Sequence, residues 1–343
     1  MEANYEPGPA PSARFSPDML LNGYVGASLV HAFGELGIFE TLSGPGPASV
    51  PTLAAACGAR EQHLDALISA AASLGLVRRE RHLVALTDLG RQVWPLTGYF
   101  TVTIGGYGDL FHSLGDLVTG RKTYGLDPVR DDRAVAKGCA QNHTHFCREI
   151  LLRALADIPF SQVADIGCGQ ARRLIDICTA RPGARGWGLD LSPQVCRAAR
   201  KAVREAGLAG KVRIKFGDVR DLLDGTTTLD PRAGRADLVT SFFVFHHLTK
   251  YKDEIFVRLR SVFPAARYFV IADGVALPTP HPESELPIFS VGYELFHAMM
   301  GVPVPSMETY LNWFKRAELT VEQCVQFGHP QEYLFILRAN EGT

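Results

Sequence analysis

Residues 165–174 read DIGCGQARRL, and this stretch decides the fold. It follows the apolar run QVA and leads into ARRLIDICTARP, whose apolar residues recur at helical spacing. Gly167 and Gly169 let the backbone turn tightly and come close to a ligand at the start of a helix. A strand that ends in such a turn and feeds a helix is the opening unit of an α/β sheet. Downstream the unit repeats. ARGWGLDLS, KVRIKFGD, ADLVTSFFVFHHL and ARYFVIADGVAL read as strands, while PQVCRAARKAVREAG and KDEIFVRLRSVF read as helices. Short apolar strands alternating with amphipathic helices predict a parallel sheet covered on both faces, over residues 158–343.

The N-terminal half has another period. From 19 to 94 the apolar residues fall into short helical blocks: LVHAFGELGIFETL, then SVPTLAAACG introduced by Ser49 and Pro51, then AREQHLDALISAAASLGLV. LVRRERHLVALTDLG follows as two strands joined by a charged turn, so the whole predicts a winged helix. Its Ala-rich third helix carries little charge, and Arg78, Arg79 and Arg81 sit on the wing alone. DNA binding rests on many Lys and Arg contacts to phosphate, so dimer packing is the better reading of this domain. Residues 95–157 are helical with Gly-rich joints, and residues 1–18 form a Pro, Gly and Ala arm.

The bulk properties agree with this division. At 343 residues and 46% hydrophobic, the chain can fill two cores. Thirty-five basic and 36 acidic residues give a net charge of −1, which recruits neither nucleic acid nor an anionic membrane. The seven cysteines are scattered without a CxxC pair, which excludes a thiolate zinc site of that spacing. The N-terminus lacks a basic patch and an apolar core, and no apolar stretch is long enough to span a bilayer, so the expectation is a cytoplasmic protein.

Two carboxylates sharpen the reading of the glycine turn. Asp190 ends the second strand, where it can accept from both hydroxyls of a ribose, and Asp218 ends the third, where it can accept from an adenine amine. The helix after Gly169 lacks a third glycine and offers no Lys or Arg for a pyrophosphate, so an adenosine without phosphates is expected. Together VADIGCGQAR, GLDLSP and FGDVRD resemble the class I methyltransferases. The resemblance implies S-adenosylmethionine as cofactor, with Asp165, Gly167, Gly169, Asp190, Gly217, Asp218 and Val219 around it. A winged helix ahead of this Rossmann-like sheet resembles the small-molecule O-methyltransferases, which implies a homodimer built on the N-terminal half. In that family a His-Asp pair follows the fourth strand, the His acting as general base; here the pair is His246-His247.

A second resemblance bears on the chemistry. FFVFHHL, PVRDD at 128–132 and ELPIFSVGYELFHAMMG are similar to the phenylpyruvate C-methyltransferases, iron-dependent relatives that methylate the β-carbon of 2-oxo acids. It implies that His246 and His297 hold a non-haem iron, or another divalent metal, and that Arg130 grips the substrate carboxylate. His247 reads as a proton acceptor or water holder, with a purely structural role open beside it. The chain departs from the subgroup where His247 replaces an Asp and where Ala298 follows His297 in place of an acid. The pocket stretch GYFTVTIGGYGDLF is also light in large aromatics for a phenyl substrate. Two alternatives stand beside this reading: a metal-free O- or N-methyltransferase with His246 as base, and a winged-helix regulator that binds the cofactor without transfer.

Overall fold

The protein is described by a computed structural model over residues 15–277 and 287–340. Most of the expected arm at 1–18, and part of the Pro-rich loop before His297, lie outside the described residues. The chain divides into two units, Met1–Phe100 and Thr101–Thr343.

In the first unit the helix boundaries follow local chemistry. Ser16 caps α1 (Pro17–Leu36), its Oγ accepting from Met19 N at 3.3 Å, and left-handed Gly37 ends it. Then come α2 (Ile38–Leu42), β1 (Ala48–Ser49), α3 (Val50–Cys57), α4 (Glu61–Ser73), β2 (Val77–Glu80), β3 (Leu83–Leu86), α5 (Asp88–Val93) and α6 (Thr97–Phe100). The wing has three strands where the sequence predicts two. Ala48 and Ser49 pair with Val84 and Leu83, covering the free edge of β3 before Ser49 caps α3. Phe33, Phe39, Leu53, Ile68 and Val84 fill the core. The wing cations are matched within the unit: Arg79 lies 2.6 Å from Asp65, and Arg78 lies 3.3 Å from Glu80. On α1, Met19, Leu20, Leu21, Tyr24 and Val25 stay exposed.

The second unit begins with α7 (Gly108–His112), α8 (Leu114–Val118), α9 (Asp132–Asn142) and α10 (Arg148–Ala154), interrupted by widened π turns at Thr101–Gly106 and His143–Cys147. The sheet elements are β4 (Gln162–Ile166), α11 (Arg172–Ala180), β5 (Arg185–Asp190), α12 (Pro193–Glu205), β6 (Val212–Phe216), α13 (Val219–Leu223), β7 (Leu238–Phe242), α14 (Ile255–Val262) and β8 (Tyr268–Gly274). They are followed by α15 (Ser290–Met299), α16 (Met307–Arg316), β9 (Leu319–Gln326) and β10 (Glu332–Ala339). Strand order is β6-β5-β4-β7-β8-β10-β9, parallel from β6 to β8, with β10 antiparallel to both of its neighbours. This is the class I methyltransferase sheet preceded by a helical winged domain.

Two features of the second unit differ from the sequence reading. The β9–β10 hairpin is absent from it, because LTVEQCVQ is a mostly exposed edge strand with a weak apolar pattern. The histidine pair is also no longer strand: β7 stops at Phe242, Phe243 adopts a left-handed φ of 57°, and Phe245–Glu254 winds into helical turns. Between β4 and β7 the chain reverses its direction of travel across the sheet, which opens a crevice at their carboxyl ends. Gly167 follows one strand and His246 the other.

Candidate active site

On the cofactor side the glycine turn is required by packing. Gly167 and Gly169 have φ of 67° and 54°, and a Cβ on Gly167 would lie 2.3 Å from Val244 Cγ2. Asp190 holds the turn: Oδ2 accepts from Gly169 N at 2.9 Å and Oδ1 from Ser192 N at 3.0 Å. Burial raises the Asp190 pKa, and these two bonds partly offset it. Asp165 points inward. Fully buried, it accepts from Thr240 Oγ1 at 2.8 Å and lies 3.5 Å from the Arg173 guanidinium, which also donates to Gly167 O at 3.0 Å. It supports the glycine loop from beneath. Asp218 caps α13 and takes Arg220 Nε at 2.7 Å and Arg220 N at 2.8 Å, so its carboxylate is already engaged beside Gly217 and Val219.

The histidines converge. His246, His247 and His297 each offer a ring nitrogen, and these three atoms lie within 4.8 Å of one another. Ring centroids of His246 and His297 are 4.9 Å apart, and His247 lies 4.0 Å from the first and 5.4 Å from the second. His246 and His297 are 2% and 1% exposed. His297 donates Nδ1–H to Tyr293 O at 2.8 Å, and its buried Nε2 has no hydrogen-bond partner. Burial, reinforced by the charge field of His246, depresses the His297 pKa to about 3; burial likewise depresses His247 well below the usual imidazole range. A buried orphan nitrogen on a neutral imidazole, beside two further imidazoles, fits a divalent transition metal.

Arg130 joins this group. Its charge acts on both His247 and His297, its Nε donates to Asp132 Oδ1 at 2.8 Å, and its guanidinium reaches Tyr107 OH at 3.4 Å. Tyr107 stacks on Phe296, the neighbour of His297, with centroids 4.3 Å apart. Aromatic residues around His297 come from several segments: Tyr107 and Phe111, Tyr124, and Phe289, Tyr293 and Phe296 from α15 and its start. The 98–111 stretch supplies Tyr107 and Phe111 to this cluster, and α15 with its start adds three more aromatics. Sequence reasoning missed Asp273, whose carboxylate is fully buried against His246; its signal is a lone acid in the apolar run YFVIADG.

Residues 19–94 match the O-methyltransferase dimerisation domain family, and residues 164–263 match a methyltransferase domain family. The indolepyruvate C-methyltransferase of Streptomyces griseus is 28% identical over 285 residues, covering 81% of each chain. The 2-ketoarginine methyltransferase of Streptomyces arginensis is 25% identical over 172 residues, half of each chain. Human N-acetylserotonin methyltransferase, solved in complex with S-adenosylmethionine, shares the fold with a TM-score of 0.65 at 17% identity, covering 96% of this chain and all of that one. The fold and the two family matches define a class I methyltransferase carrying an N-terminal dimerisation domain. The chain is an S-adenosylmethionine-dependent methyltransferase. Among the described residues no helix is long and apolar enough to cross a membrane.

Proposed function

We propose that the chain methylates the β-carbon of a 2-oxo acid with an aromatic side chain, of the phenylpyruvate or indolepyruvate kind, and works as a homodimer. One observation carries the reading: His246, His247 and His297 meet with their ligating atoms within 4.8 Å. In this reading His246 and His297 hold a divalent metal, iron first among the candidates, and His247 stands as a third donor. A metal bound there supplies Lewis acidity that polarises the 2-oxo group and makes the neighbouring C–H acidic. The chain's own residues do the rest. Arg130, pre-oriented by Asp132 and Tyr107, grips the carboxylate. The aromatic cluster around α15 surrounds the side chain and keeps water away from the reacting carbon. The Asp190 carboxylate orients the cofactor ribose, so that the sulfonium methyl stands in line with that carbon. Similarity to an indolepyruvate C-methyltransferase and to a 2-ketoarginine methyltransferase supports the 2-oxo acid class.

A second reading has its own support. His246 is hydrogen-bonded through Nδ1 to Asp273, which also suits a general base for a hydroxyl or amine acceptor. Chelation separates the two. Under the metal reading, a chelator abolishes β-methylation and added iron restores it. Full activity of metal-free enzyme on a hydroxyl acceptor overturns that reading.

A further inference from the structure

Arg130 is half engaged before any acceptor arrives. A carboxylate offers about four acceptor positions on two oxygens, and arginine fills them best through a fork of two parallel N–H groups. Here the Nε side of the guanidinium is taken, because Nε donates to Asp132 Oδ1 at 2.8 Å. Asp132 also cancels much of the positive charge that an anion would meet. On the other side Nη1 donates to the Tyr107 hydroxyl oxygen at 3.4 Å. That oxygen is the acceptor in the contact, so its own proton is turned away from the guanidinium. Among the described residues the hydroxyl has no hydrogen-bond partner besides Arg130. Tyr107 is 3% exposed and stacks on Phe296 at 4.3 Å, so packing holds the hydroxyl in place. Burial raises its pKa, which keeps the phenol protonated and therefore a donor.

We infer that Tyr107 is a substrate-binding residue: its hydroxyl donates to one oxygen of the acceptor's carboxylate while an outward N–H of Arg130 donates to the other. The two donors stand side by side, because the hydroxyl oxygen is itself hydrogen-bonded to Nη1. Together they rebuild the fork that Asp132 has broken. Both bonds end on a charged acceptor, which makes them the strong kind. Phe296, stacked on the Tyr107 ring, is the chain neighbour of His297. The stack thus ties the carboxylate grip to the histidine cluster, which suits an acid whose oxo group is on the adjacent carbon. The assignment rests on the 2-oxo acid reading above and adds a contact to it, since there Tyr107 only orients Arg130.

The probe is phenylpyruvate on the full-length, iron(II)-loaded chain. Tyr107→Phe is the variant, because it keeps the stacked ring that the fold needs and removes only the hydroxyl. Loss of a charge-assisted bond is expected to raise both KM and the dissociation constant for phenylpyruvate roughly 10–100-fold, with kcat changed less. Phenylacetone has the ring and the oxo group but no carboxylate, so wild type and variant are expected to bind it within about twofold of each other. A second comparison separates contact from mere support of Arg130. In an Arg130→Met background, Tyr107→Phe is expected to weaken phenylpyruvate by a further factor of about 3 or more. No further loss there overturns the direct contact. An unchanged KM in the single variant, or an equal loss for phenylacetone, also overturns the inference while the 2-oxo acid reading stands. Wild-type protein that neither binds nor methylates any 2-oxo acid overturns that reading, and the inference with it.

Discussion

Replacing His297 with Ala separates a metal site from a merely buried histidine. In metal-free protein the change removes the Nδ1 bond to Tyr293 O, worth about 1 kcal/mol net. It also removes a buried Nε2 that has no partner, an atom whose desolvation costs about 1–3 kcal/mol. The two effects oppose each other, and the space left by the ring adds a modest loss, so metal-free stability should move by no more than about 2 kcal/mol. In the presence of metal the comparison changes. At one hundred times the dissociation constant, bound metal stabilises the folded state by about 2.7 kcal/mol. For a unit of this size that raises the melting temperature by roughly 5–10 °C. The assay is thermal unfolding with iron(II) and with chelator, alongside metal content by mass spectrometry. Wild type should gain those degrees, whereas His297→Ala should gain almost none and melt close to metal-free wild type. A variant that keeps one metal per chain and the full thermal gain would refute the reasoning, because His297 would then be an ordinary core histidine.

Other perturbations read separate parts of the protein. Asp190→Ala should weaken S-adenosylmethionine binding at least about tenfold in calorimetric titration, since each charge-assisted bond is worth roughly 1.5–3 kcal/mol and the Gly169 turn loses its acceptor as well. Arg130→Met should raise KM for a 2-oxo acid by about 10–100-fold on the same arithmetic while changing kcat less; an unchanged KM removes Arg130 from the carboxylate. Leu21→Asp on the exposed apolar face of α1 should convert a dimer to a monomer in light scattering at micromolar concentration, and a wild-type monomer contradicts the interface. The pH response has a definite sign. Burial depresses the His329 pKa to about 4, so the unfolded chain, whose imidazole titrates near its ordinary value of about 6.5, binds more protons between these limits. His329 therefore contributes stability that is full above pH of about 6.5 and is lost as pH falls through about 4. His329→Gln should flatten the fall in unfolding free energy across that window in denaturant titrations.

The sequence by itself determined the parallel strands β4 to β8, because their signals are local. A parallel strand buried on both faces must be apolar, and a tight strand-to-helix turn must use glycine where φ is positive, as at Gly167 and Gly169. The start of α3 was legible for the same reason, since Ser49 bonds to backbone within the first turn, whereas Ser16, expected in the arm, caps a helix that begins at Pro17. The end of β7 was not legible: FFVFHHL keeps a strand pattern, and only the left-handed Phe243 turns it aside at the edge of the sheet. The histidines of the donor set were named through the resemblance, but no linear pattern shows that they meet. His246 and His297 lie far apart in the chain, and their rings meet because α15 packs back over the carboxyl end of β7 and β8. There Gly274 leaves room for the Tyr293 ring, whose hydroxyl would lie 1.7 Å from a Cβ. Asp273 belongs to the same class, a single acid whose partners are named only when a neighbouring strand brings them within reach. Hydrogen bonds and ring contacts between distant segments depend on packing, and a linear pattern carries local periodicity but no distance between its parts.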